Sequence, residues 1–195
     1  MRSVHVATAL AAGLLASVGL RVGLAADAAD PDPADDAVAI LTAIDVAPNA
    51  GLYGDVIGND VRAQLLAASQ PGAAVDGGLR LRALRGLGLY PGAAAVARVR
   101  IELDDGADLL DGVAVLHLGA AVEALGYIGD ASDQPRLITM LEFEACRDVR
   151  ELAARALQRL NMVGAVDALR ERFVREPTQQ VQLAISEALR ALEAL

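Results

Sequence analysis

The chain has 195 residues, 54% hydrophobic but only 3% aromatic and without tryptophan, so any core is built from Ala, Leu and Val, which suits close helix packing better than a β-sandwich. Its 17 basic residues are all Arg and face 26 acids, a net charge of −9 that disfavours nucleic acid and anionic membrane surfaces as partners. The single cysteine, Cys146, excludes an internal disulfide.

Residues 1–25 read as a signal peptide. A short basic start, Met1 to His5, precedes an apolar run from Val6 to Leu20, and small residues at Gly23–Ala25 and Ala26–Ala28 offer cleavage sites. Arg21 interrupts the run and leaves it short of the ~20 apolar residues a spanning helix needs. No cysteine lies near its end to carry a lipid. The expected location is therefore periplasmic or secreted, with no membrane contact beyond the export signal. Residues 26–36 are acidic, carry Pro31 and Pro33, and read as a solvated linker.

An N-terminal helical cap is expected over 37–75. Ala37 to Val46 forms a short apolar helix, Pro48 to Gly54 breaks it, and Asn59 or Asp60 caps a helix running to about Ser69. Pro71-Gly72 and Gly77-Gly78 then punctuate the chain.

From residue 76 to 195 the sequence repeats itself. Ala124-Leu125, Ala156-Leu157 and Ala188-Leu189 recur at an interval of 32, with Ile128, Leu160 and Leu192 in the same register. Ala120, Leu152 and Ala184 extend the stripe upstream. An earlier copy, Leu79, Ala83, Leu84 and Leu87, stands 41 residues before the next, the extra length falling in the loop Asp104-Asp105-Gly106-Ala107-Asp108. Each such helix is followed by a second, over Ala93–Leu103, Ser132–Phe143 and Val163–Arg175, with Ser132 as cap and Pro135 in the first turn. A last helix runs from Thr178 to Leu195. Leu137 and Leu141 recur as Leu169 and Phe173. Two helices per unit with matching apolar stripes mean an α-solenoid.

Asp148-Val149-Arg150 followed by Ala153 to Leu160 resembles the first helix of a HEAT repeat of the short type, also found in phycobilisome-lyase-like proteins. Val181-Gln182 with Glu187 to Leu192 is a second copy, and Glu123 to Asp130 resembles the usual ending. In the copy over 112–130, His117 stands where Val149 and Val181 stand. The resemblance implies a right-handed α-solenoid of HEAT-like helical hairpins, of ARM type, over residues 76–195. It implies little about function.

Candidate chemistry is sparse. His117 and Cys146 could meet as a nucleophile pair only if stacked helices brought them within hydrogen-bond reach. A partly buried histidine and a small buried thiol explain both more simply. Two such residues are too few for structural zinc. Asp104, Asp105, Asp108 and Asp111 offer carboxylates for calcium but lack the EF-hand spacing, and a solvated inter-repeat loop accounts for them better. Gly86-Leu87-Gly88 follows no strand and has no lysine to complete a phosphate loop, so it reads as a helix end. No catalytic residue, cofactor or metal is therefore expected.

The remaining signal is surface. Arg136, Arg170, Arg172 and Arg175 lie on second helices beside Glu142, Glu144, Glu171 and Glu176, and the resemblance implies that second helices line the concave face. Such a mixed charged groove suits recognition of another protein; an ordinary solvated face with pairs such as Glu171–Arg175 is the simpler alternative. The expected function is a non-enzymatic, exported protein-binding scaffold. The alternatives are an enzyme or accessory resembling bilin lyases, and a structural cap subunit of an envelope assembly.

Overall fold

A computed structural model describes residues 60–106 and 112–195, together with residues 41, 49–51 and 54. The signal peptide, the linker, most of the 37–59 stretch, and Asp108 and Asp111 of the acidic loop lie outside the described residues. Among the described residues the regular structure is entirely helical. The α-helices are α1 (Val61–Ala68), α2 (Gly77–Leu87), α3 (Ala93–Gly106), α4 (Gly112–Ile128), α5 (Gln134–Leu141), α6 (Arg147–Arg159), α7 (Val166–Arg175) and α8 (Gln179–Leu192). None of them is long and apolar enough to cross a membrane.

Local chemistry sets these boundaries. The Asp76 carboxylate accepts a hydrogen bond from the Leu79 amide at 2.9 Å and starts α2. Gly88 ends it, as the Gly-Leu-Gly run suggests, for a steric reason: a Cβ there would stand 3.1 Å from the Cα of Ala124 on α4. Asp60 sits at the N-cap of α1 but makes no side-chain cap bond.

The start of α5 differs from expectation. Asp130, not Ser132, is the cap. Its carboxylate accepts from the Ser132 amide at 2.8 Å, and the Asp133 carboxylate accepts in return from the Asp130 amide at 3.0 Å. This reciprocal box closes a 3-10 turn, Ala131–Asp133, so the α-helix begins only at Gln134, with Pro135 in its first turn. A second 3-10 turn, Val163–Ala165, likewise precedes α7. Before it, Asn161 adopts φ 53°, a left-handed conformation that Asn tolerates better than most residues, and so ends α6 sharply.

Burial follows the 32-residue register. Ala124, Ala156 and Ala188 are enclosed, as are Leu125 and Leu157. Leu152, Leu160 and Leu189 are only half-buried, while Val149 and Ala153 are fully enclosed, so the inward stripe of α6 is turned slightly from the expected one. On the second helices Leu137, Leu141 and Leu169 are buried, but Phe173 is 38% exposed.

The helices form two layers. In the first, α2, α4, α6 and α8 touch in succession. In the second, α3, α5 and α7 each pack chiefly on the first-layer helix that follows, and α1 packs on α2. Small residues let the first layer close up. A Cβ on Gly126 of α4 would meet the Cβ of Ala156 at 2.8 Å and its Cα at 3.0 Å, so α4 and α6 approach to a distance only glycine allows. A buried leucine in this row, such as Leu157, contributes about 1.5–3 kcal/mol by leaving water.

Candidate protein-binding face

The five residues expected to make a binding face have unequal positions. Arg136 and Arg175 are partly exposed on the second layer. Arg136 clasps Asp104 of α3 through both Nε and Nη2, at 2.8 and 3.1 Å, and Arg175 reaches both oxygens of Glu142 at 2.9 and 3.0 Å. Arg170 turns toward the end of α8, where it donates to Glu193 at 2.8 Å and lies 3.3 Å from Asp167. Glu171 is exposed, and the expected Glu171–Arg175 pair does not form because Glu142 takes the guanidinium.

Arg172 contradicts expectation. It was placed on an accessible groove, but its side chain is 1% exposed. It donates to Glu176 at 2.9–3.0 Å, contacts Glu142, and makes a short bond to Glu144. The physical reason is its spacing. One turn after Arg172, Glu176 points back under α7, and Arg150 of α6 meets the same carboxylate at 2.8 and 2.9 Å. Arg150 also donates to the carbonyls of Phe143 and Glu144. Two arginines thus share one enclosed carboxylate and tie α6, α7 and the end of the α5 segment together.

The same device occurs earlier. Arg98 and Glu102 of α3 repeat the i, i+4 pair at 2.5 Å, and Arg80 of α2 supplies the second cation at 2.6 Å. Both arginines donate to the Ser69 carbonyl at the end of α1. Arg80 and Arg150 both stand four residues after their helix's N-cap. Sequence reasoning missed both clusters. The detectable signal was an Arg–Glu pair one turn apart on a second helix, matched by an arginine at a fixed distance from the preceding N-cap.

Electrostatics agree with the geometry. Burial alone would raise the Glu176 pKa, but hydrogen bonds from Arg150 and Arg172 and from the Thr178 amide hold it at about 2. Burial opposes the charge on Arg172, and the bonds to Glu144 and Glu176 more than reverse that, so its pKa lies above the ordinary value. The hydrogen bond from Arg172 lowers Glu144. Arg100 of α3 extends the pattern: it donates to the buried Asp133 at 2.7 and 2.9 Å, which raises the arginine's pKa. The resulting ladder, Arg100–Asp133, Asp104–Arg136 and Glu142–Arg175, links successive second-layer helices.

His117 and Cys146 do not form a pair. His117 is 4% exposed, its Nε2 lies 2.8 Å from the Gly77 carbonyl and its Nδ1 2.8 Å from Arg80 Nη1. The carbonyl can only accept and the guanidinium can only donate, so the ring is the neutral Nε2–H tautomer that staples α4 to the start of α2. Cys146 occupies the N-cap position of α6 and is half-buried. Among the described residues no group of three or more His, Cys, Asp or Glu is arranged to hold a metal, and Asp104 is occupied by Arg136.

Residues 109–190, from the start of α4 to near the end of α8, match the family model for HEAT repeats, which supports a HEAT-repeat protein. No curated protein and no solved structure matches the chain.

Proposed function

We propose that this protein is an exported, non-enzymatic scaffold that binds another protein through its second-layer face. In this reading the two helix layers are a right-handed solenoid of ARM type, built from short repeats of the phycobilisome-lyase-like kind, and its concave side is the row α3, α5 and α7. The observation that carries the proposal is the ladder of arginine–carboxylate pairs on that row. Each partly exposed cation already faces an acid of the same chain, so the face presents alternating, pre-oriented charges of both signs. That pattern suits a partner with its own alternating charges and gives polyanions no unopposed cation cluster. Arg136, Arg175 and Glu171 are the proposed contacts, with Arg170 at the margin; Arg172 supports the face from beneath.

The test begins with capture of the partner from an envelope fraction, followed by titration of purified components. Arg136→Glu and Arg175→Glu should each slow association several-fold and flatten its salt dependence. Arg62→Glu, on α1, should leave binding unchanged. Loss of binding in Arg62→Glu with none in the other two would move the contact to the N-terminal cap. Export is tested separately: the mature protein should begin between about residues 26 and 30, and an intact Met1 on membrane-bound protein would replace cleavage with anchoring.

A further inference from the structure

The outer face of the last helix pair is built like the faces that every earlier repeat buries. On α4, Gly119, Val122 and Gly126 are enclosed, and Gly119 and Gly126 lie against Leu152 and Ala156 of α6. On α6 the equivalents are Glu151 and Ala154, which face α8 through the Gln180–Glu151 hydrogen bond and the neighbouring Arg155–Glu187 pair. On α8 the equivalents are Leu183 and Ser186. Leu183 is 53% exposed, and no described helix follows to cover it. Phe173, whose counterpart Leu141 is fully buried, is uncovered beside it. The two apolar side chains line an open depression of about 480 Å³ with Gln179, Gln180, Gln182 and Ser186.

We infer that this face is the contact of a two-fold homodimer, in which α8 of one copy packs on α8 of another. Charge selects the occupant. Two copies carrying −9 each repel, and a two-fold axis sets each central residue against itself, so a self-contact requires an uncharged centre. The residues lining this depression are all uncharged. Glutamine suits such an axis, because its amide both donates and accepts and can pair with its own copy. Leu183 supplies the apolar centre. The packing would repeat between chains the first-layer contact that α4, α6 and α8 make within one.

Sedimentation equilibrium of the full chain, from about 1 to 300 μM, tests the proposal, with twice the chain mass expected at the upper end. Leu183→Asp should raise the dimer dissociation constant at least ~100-fold, since it places two carboxylates at the axis. Leu116→Asp, an equally exposed leucine on α4, should leave it unchanged. Thermal unfolding of the dilute monomer should be the same in both variants. Should Leu183→Asp fold poorly, Gln179→Glu supplies the same charge repulsion from an exposed position. A wild-type chain that stays monomeric at 300 μM would overturn the inference, as would a dimer that survives Leu183→Asp or Gln179→Glu unchanged.

Discussion

Arg172 and Arg170 stand two positions apart on α7, one enclosed and the other largely in water. Removing Arg172 leaves Glu176 buried with Arg150 as its one remaining cation, and an enclosed charge that loses a partner is costly. Arg172→Ala should therefore destabilise the fold by about 3–5 kcal/mol. Arg170→Ala removes pairs in water and should cost under about 1 kcal/mol. Urea unfolding of the two variants measures the difference, and equal midpoints would place Arg172 at the surface after all.

Glu176 also sets a pH dependence. Its pKa falls from 4.5 to about 2 on folding, so its ion pairs stabilise the native state fully above pH 4.5. That contribution is lost as pH falls from about 4.5 toward about 2. The melting temperature should decline through this window, and Glu176→Gln, less stable at neutral pH, should show a shallower decline. Parallel melting curves for wild type and variant across that range would remove Glu176 as the titrating group.

Among the elements, α6 offers the cleanest contrast. Leu157 is fully enclosed and Arg159 lies over the Tyr127 ring, 3.9 Å from its centre. Leu157→Ala should cost about 2–5 kcal/mol. Arg159→Ala should cost about 0.5–1 kcal/mol through loss of the cation–π contact. Chemical denaturation distinguishes them, and a larger loss for Arg159 would contradict the repeat register.

The helices of the repeat region were legible because period and punctuation agree. Apolar residues mark one side of each first helix, and Gly88 and Pro135 stand where backbone geometry wants them. The caps were less legible. Ser132 and Asp130 are both good cap residues, and only the return bond from Asp133 decides between them. Arg172 was misplaced for a deeper reason. A charged side chain on a helix face is normally solvated, and nothing local reveals that an arginine on another helix shares its carboxylate. Phe173 matched the apolar pattern, yet is half uncovered, because periodicity describes a residue and not the neighbour that must bury it.

At the scale of the molecule, the two layers are held by different forces. The first closes through alanine and glycine at near-minimal helix separation, while neighbouring second-layer helices are tied by arginine–carboxylate pairs, many of them partly exposed. The first is indifferent to salt; the second is screened by it, over a Debye length of about 10 Å at 0.1 M. In mechanical terms the molecule has an inextensible spine and compliant ribs. Raising ionic strength from about 10 mM to about 1 M should therefore let the ribs spread about a fixed spine, changing the radius of gyration without loss of helix. Small-angle scattering alongside circular dichroism measures both. A radius unchanged over that range would mean that the ribs are as stiff as the spine, and a partner would then meet a mould of one shape instead of a spring whose curvature it can set.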